Sequence, residues 1–165
     1  MKLMNWLAAT VLANVLWGAT AAGAADFQLI GEEQMQREQQ YQATLPREEL
    51  DEPPMVTRSR FPAIRVLAPE VDTSKLATQL KAPLRLQLAF ETSTDARILP
   101  QTFRALYGML KLDITETLRK HAQLTEKGML AEGAGMPAGA HRLFIQVADD
   151  RGRFTEREVR FRVGN

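Results

Sequence analysis

The sequence predicts an all-β fold, an antiparallel β-sandwich of about seven strands. From residue 61 onward the chain of 165 residues divides into short segments with apolar residues at every second position, the period of a half-buried strand. Glycine, proline and aspartate separate these segments at close intervals. Only one stretch, residues 116–124, has the pattern of a helix. Two packed sheets, each with one buried and one wet face, are therefore the expected architecture.

The first 24 residues are predicted to be a secretory signal peptide. Lys2 gives the positive start, residues 7–17 the apolar stretch and Ala22-Gly23-Ala24 the small-residue cleavage site. An uncleaved membrane anchor is the alternative, but a spanning helix needs about 20 strongly apolar residues, and many here are Ala, Gly, Thr or Asn. We therefore expect export to the periplasm or cell envelope of a bacterium, with no membrane span after cleavage. The chain has no cysteine, which excludes disulfides and thiol chemistry.

Residues 25–58 are predicted to be an acidic, Gln/Glu-rich linker that is disordered or loosely helical. Residues 25–54 carry eight acidic and two basic side chains, a net charge of −6. Met35 and Tyr41 form no continuous apolar stripe that would oblige a helix to pack. Residues 55–165 carry 18 basic and 12 acidic side chains, a net charge of +6. The acidic segment is therefore a candidate to rest on the domain that follows it.

The first predicted strands follow this linker. Residues 62–69 are short, aliphatic and framed by prolines. In residues 82–91, four apolar side chains alternate with Arg85 and Gln87, the clearest period of two in this half of the chain. Residues 102–108 place Phe103, Ala105 and Tyr107 on one face. Residues 109–115 are predicted to be a further strand, with its inward face formed by Leu110, Leu112 and Ile114.

The second half begins with the predicted helical turns at 116–124. A brief strand and a glycine-rich bend follow over 128–139. Residues 141–148 then set Leu143, Ile145 and Val147 on one face. Residues 156–163 complete the fold, and their inward side chains are Val159, Phe161 and Val163.

Asp149, Asp150 and Gly152 lie in the segment that joins the last two strands. Aspartate early in such a loop bonds the following backbone, and glycine takes the position where φ turns positive. A calcium ligand pair is the alternative interpretation of the two aspartates. Calcium needs six to eight oxygen ligands, and this loop lacks the spacing of an EF-hand. These three residues are predicted to form a turn.

Three stretches resemble a known group of proteins. MPAGAHRLFIQVADDRGRFTEREVRFRV resembles the closing strand pair of bacterial immunoglobulin-like domains, and FPAIRVLAP resembles their entry strand. ARILPQTFRALYGMLKLDITETL is similar to the middle of uncharacterised exported bacterial proteins. The resemblance covers residues 60–164 and implies one immunoglobulin-like domain of the E-set type over 59–165. It also implies a structural task for His141, anchoring a corner through a ring nitrogen. A metal ligand is the alternative, but a lone histidine lacks the partners that a metal site requires.

Catalytic and metal chemistry find little support in the sequence. No serine lies in a G-x-S-x-G motif, and the two histidines lack the partners of a triad. Carboxyl pairs for glycoside hydrolysis are unspecific, and Asp113 is predicted to bond local backbone while Thr115 caps the next turn. The methionines are scattered, with no copper-type cluster. We therefore expect no enzyme activity and no cofactor.

The outward face of the last hairpin is the predicted binding surface. Arginine beside an exposed aromatic ring suits an anionic polymer or an acidic partner segment. The alternative is a solvated face on which Glu156 and Glu158 pair with the arginines. The candidate residues are Arg142, Phe144, Arg153, Arg160 and Arg162.

Together these observations predict a non-catalytic binding or assembly module of the cell envelope. The expected partner is another envelope protein or an anionic polymer, and not nucleic acid. A carrier of an anionic polysaccharide or a metal ion is the alternative function.

Overall fold

The computed structural model describes residues 26–47, 50, 61–70 and 78–164. The predicted signal peptide, 1–24, and part of the predicted linker lie outside these residues. The described residues form two helices, α1 (Glu32–Gln42) and α2 (Thr115–His121). They also form ten strands: β1 (Phe27–Gln28), β2 (Ala63–Ala68), β3 (Thr78–Lys81), β4 (Leu84–Glu91), β5 (Ile98–Tyr107), β6 (Leu112–Asp113), β7 (Ala122–Thr125), β8 (Gly128–Gly135), β9 (Gly139–Asp149) and β10 (Phe154–Gly164).

The strands form two sheets that pack as a sandwich. Sheet A has the order β2-β4-β8, and the free edge of β8 pairs with β7 and with β1. Sheet B has the order β3-β10-β9-β5-β6. The pairings are antiparallel except for β1 with β8 and β3 with β10, which are parallel. The predicted sandwich is confirmed, with more strands than the seven expected.

The core lies between the sheets and follows the predicted alternation. In β4 every second residue from Leu84 to Phe90 is buried, and in β10 the buried residues include Val159, Phe161 and Val163. Burying one such side chain contributes roughly 1.5–3 kcal/mol to folding. Helix α2 confirms the predicted helical turns only as far as His121, because residues 122–124 belong to strand β7. The helix places Leu118 in the core.

The predicted strand at 109–115 is largely a turn. Only Leu112–Asp113 pairs with β5. Gly108 and Lys111 both have positive φ, of 70° and 49°, which an extended strand does not accept. Leu110, predicted to face inward, is 37% exposed. We call residues 108–111 the β5–β6 turn.

The predicted linker, where it is described, belongs to the fold, so the domain begins before residue 59. Phe27 pairs with β8, and Leu29 and Ile30 are 1% and 0% exposed in the core. Helix α1 is anchored through Glu38, a buried carboxylate. Met35 and Tyr41 are its only apolar residues and form no stripe, so the sequence did not signal that the helix packs, although Met35 lies against the core. None of the described helices is long and apolar enough to cross a membrane.

Candidate functional site

Asp149 organises the turn between β9 and β10. Its buried carboxylate accepts hydrogen bonds from the backbone N–H groups of Arg151 (3.1 Å) and Arg153 (3.0 Å), from the Arg153 guanidinium (2.7 Å) and from the Thr92 hydroxyl (3.1 Å). Burial works to raise the pKa of Asp149, but these donors together hold that pKa below its usual value. All four of these donors are groups of the protein itself, so the carboxylate of Asp149 holds the turn together.

The neighbouring residues complete this turn. Gly152 has a φ of 73°, and Asp150 accepts a hydrogen bond from the Arg97 backbone N–H at 3.0 Å. Arg153, predicted to belong to the binding surface, instead bonds Asp149 and the Ser93 hydroxyl (2.6 Å). The structure therefore separates Arg153 from the other four candidate surface residues, which lie along β9 and β10.

His141 is buried at the opposite end of β9. Its Nε2 donates to the Pro137 carbonyl at 2.8 Å, so Nδ1 is the acceptor for the Tyr107 hydroxyl at 3.1 Å. Burial lowers the pKa of His141, the Pro137 carbonyl opposes this shift, and the charge of Arg162 adds to it. Burial likewise raises the pKa of Tyr107 to about 12, and the charge of Glu38 adds to the rise. The ring is a neutral structural bridge.

Glu38 attaches helix α1 to the β5–β6 turn. The side chain accepts hydrogen bonds from the backbone N–H groups of Met109 (2.6 Å) and Leu110 (3.1 Å), and from the Gln42 amide (2.6 Å). Gly108 leaves room for it, since a Cβ at that position would overlap the Glu38 carboxylate. A glutamate on a largely polar helix carries no sequence signal of burial, so Glu38 could not be predicted as an anchor.

Asp113 lies where β6 ends and α2 begins. It accepts a hydrogen bond from the Thr115 backbone N–H at 2.9 Å and pairs with Arg104 at 2.8 Å. Bonding with Thr115 and with Arg104 lowers the pKa of Asp113 to about 2. Thr115 does not cap the helix as predicted. Its hydroxyl bonds the backbone of Ala105 in β5 because the side chain points into the sandwich.

The outer side of sheet B, which we call the arginine face, is closely interlocked. Glu158 pairs with Arg142 (3.0 Å) and with Arg160 (2.6 Å), and these three side chains are only 9%, 13% and 18% exposed. Arg142 also donates to the Leu50 carbonyl at 2.8 Å, so the N-terminal segment reaches this face. Arg162 is exposed. Most of the predicted binding charges are thus engaged within the chain.

Phe144 is not the exposed aromatic ring that was predicted for this face. It is 8% exposed, although it points outward from β9. The β5–β6 turn folds over it, with Lys111 Nζ at 4.5 Å from the ring centre and at 3.2 Å from Glu156. Alternation along β9 correctly placed Phe144 on the outer side of sheet B. It gave no sign that the β5–β6 turn covers this side.

The outer side of sheet A, which we call the neutral face, has a different character. Gln123, Leu130 and Gln87 lie side by side on three neighbouring strands, and Ala89 continues the row along β4. Leu67, in the bulge of β2, is 48% exposed beside them.

Charged side chains border the neutral face at both ends of β4. Arg85 pairs with Glu132 at 3.5 Å at one end. Glu91 at the other end pairs at 2.9 Å with Arg65, which lies on the edge strand β2 opposite Ala89. Three of these four side chains are more than half exposed, and Glu91 is 39% exposed. Alternation along β4 predicts a strand, and the order of its outward side chains can also be read from the sequence.

A shallow groove at the edge of sheet A continues the neutral face, since Gln123 and Leu130 also line it. Phe27 stacks on His121 with ring centres 4.3 Å apart, and Asp26 and Glu132 line the same groove. Among the residues that the structure describes, no group of three or more histidine or acidic side chains is placed to hold a metal ion.

Comparisons with known proteins add little to this geometry. No protein-family model matches the chain, and no curated protein matches its sequence. Among solved structures, it is similar to the crystal structure of CopC from Methylosinus trichosporium OB3b. The identity is 13% and the TM-score 0.36, over 55% of this chain and 86% of that one. A likeness of this size supports no conclusion about ligand or activity.

Proposed function

We propose that the protein is an exported, non-catalytic binding or assembly module that contacts a protein partner through the neutral face. The observation that carries the proposal is the contrast between the outer sides of the two sheets. The arginine face is tied together by the chain's own charges, whereas the neutral face offers an uncharged centre with exposed charges at its border.

This distribution is the one that protein interfaces favour. Charged residues are depleted at the centre of an interface and accepted at its rim, where they stay close to water. The centre of the neutral face consists of Gln87, Ala89, Gln123, Leu130 and Leu67. Side chains of this kind can be buried against a second protein without leaving a charge unpaired.

The polar groups inside the sandwich support a non-catalytic role. Three such groups are hydrogen-bonded to nearby backbone and side-chain groups of the protein: Asp149, His141 and Glu38. A general acid or base has to reach a substrate, and a group held by the fold in this way is not free to do so.

A photo-crosslinking amino acid at position 87 tests the proposal in cells of the source bacterium. We expect a defined protein adduct from position 87 and none from position 146, the matched glutamine on the arginine face. An adduct that forms equally from both positions, or from neither, would contradict the use of the neutral face. Fractionation of the same cells tests export, which would be contradicted by a chain that keeps its first 24 residues in the cytoplasm.

A carrier of an anionic polymer is the second candidate function. Arg157 and Arg162 are exposed on β10 and make no hydrogen bond or ion pair with other described residues. Such arginines can bind sulfate or carboxylate groups. We expect a sulfated glycan to raise the melting temperature of the protein if this function holds, and the double change Arg157→Ala with Arg162→Ala to remove that rise. A melting temperature that no anionic glycan alters would exclude it.

A further inference from the structure

We propose that the partner of the neutral face is a second copy of this chain, bound as a two-fold dimer. The inference rests on the function proposed above and names its partner. It starts from the order of side chains on β4. Arg85, Gln87, Ala89 and Glu91 point outward in succession, so a cation lies near one end of the strand and an anion near the other.

A two-fold interface presents the same patch on both copies, and that patch must complement itself. Two packed sheet faces are related by an axis that lies between them. Consider an axis that crosses β4 at a right angle, midway between Gln87 and Ala89. The two β4 strands then lie antiparallel on each other. Arg85 faces Glu91 of the second copy, Glu91 faces that copy's Arg85, and each Gln87 meets an Ala89.

The charges around β4 reinforce this arrangement. Glu132 already lies beside Arg85, and Arg65 beside Glu91. In the dimer each end of β4 therefore becomes a network of four charges, two of either sign, drawn from both copies. Networks are worth more than isolated surface pairs, which contribute little. Within each copy the two arginines and two glutamates of these pairs cancel in charge.

The arginine face carries a related order but is not available in the same way. Glu156, Glu158, Arg160 and Arg162 follow one another along β10. Glu158 and Arg160, however, pair within the chain at 2.6 Å and are little exposed. The order of charges would permit self-association on either face. Only on the neutral face, however, are the paired charged side chains exposed enough to reach a second copy.

The size of the patch predicts a weak dimer. Strand β4 has eight residues, so at about 3.4 Å per residue the face is about 27 Å long. Four strands about 4.8 Å apart make it about 19 Å wide, or about 500 Å² per copy. A dimer that buries about 1,000 Å² in total lies at the low end for specific interfaces. We therefore expect an association that depends on concentration.

Sedimentation equilibrium of the purified chain, up to about 1 mM, measures this association. Arg85→Glu places two glutamates against each other across the axis, and Glu91→Arg does the same with two arginines. Each variant should dimerise at least about tenfold more weakly than the unmodified chain. A mixture of the two should recover the dimer, because each then meets the opposite charge. Arg162→Glu, on the arginine face, is the matched control and should leave the dissociation constant unchanged.

Two results would overturn the inference. One is a chain that stays monomeric at about 1 mM, and the other is a mixture that associates no better than its components. Circular dichroism of each variant shows whether the sandwich is intact, so loss of folding is not mistaken for loss of contact. Crosslinking at position 87 separates the two proposals. An adduct of twice the chain's mass supports the dimer, whereas an adduct only with a different protein sinks the dimer and keeps the binding module.

Discussion

The outer sides of the two sheets show how differently one chain can use the same kind of surface. On the arginine face, Glu158 binds two arginines, and the β5–β6 turn and Leu50 lie against the sheet. On the neutral face the charges stay at the border and the centre is uncharged. The first surface contributes to the stability of the fold. The second contributes little, and a surface of that kind is free to take a partner.

The largest expected difference in the free energy of unfolding between the two faces comes from their apolar side chains. Phe144→Ala should lower the free energy of unfolding by about 3 kcal/mol, because the ring is buried under Lys111. Leu67→Ala, on the neutral face and 48% exposed, should change it by less than about 0.5 kcal/mol. Urea unfolding measures both. Equal losses of stability in the two variants would contradict the proposed difference between the two faces.

A carboxylate of the arginine face should likewise stabilise the fold more than a carboxylate of the neutral face. Glu158→Gln should cost about 2 kcal/mol, since two little-exposed arginines lose a charged acceptor. Glu132→Gln is the control, because its pair with Arg85 is more than half exposed on both sides. That change should stay within about 0.5 kcal/mol. A Glu158→Gln protein as stable as the control would show that the arginine face is only a solvated surface.

Helix α1 tests whether the N-terminal segment is part of the fold. Glu38→Gln should lower the free energy of unfolding by about 1.5 kcal/mol, because two backbone N–H groups lose a charged acceptor. Glu33→Gln, on the exposed side of the same helix, serves as the control and should have little effect. Limited proteolysis should also cut α1 faster in the Glu38 variant alone. Equal cutting in both would mean that the helix is not anchored at this point.

The smallest effect on stability is expected at acid pH, and it comes from Asp113 in sheet B. The pKa of Asp113 is about 2 in the folded protein against 3.8 for a free side chain. The lowered value means that its contribution is complete above pH 3.8 and is lost as the pH falls toward 2. Asp113→Asn should flatten the pH dependence of the urea midpoint in that window. The side chain is 48% exposed, so solvent screening keeps the effect small. An unchanged slope would show that the bonds of Asp113 with Thr115 and Arg104 do not stabilise the folded protein.

The sandwich could be predicted because alternation along β4, β9 and β10 marks the buried side of each strand directly. The same alternation assigned Phe144 to the outer side of sheet B and gave no sign that the β5–β6 turn covers it. Contacts between distant segments decide such coverage. Glu38 is the clearest example, since its partners lie about seventy residues further along the chain. Local pattern also missed β1, which has only two residues and depends on its partner β8.

The two parallel pairings determine when this protein can finish folding. Strand β1 has no neighbour until β8 has been synthesised, and β3 waits for β10, the last strand in the described chain. Pairings between segments so far apart are slow to form, because a long loop must close first. A polypeptide emerging from the ribosome therefore remains without its completed sheets until β10 has been synthesised. That delay fits the export proposed above, because a chain that has not yet completed its sheets is still extended enough to be translocated.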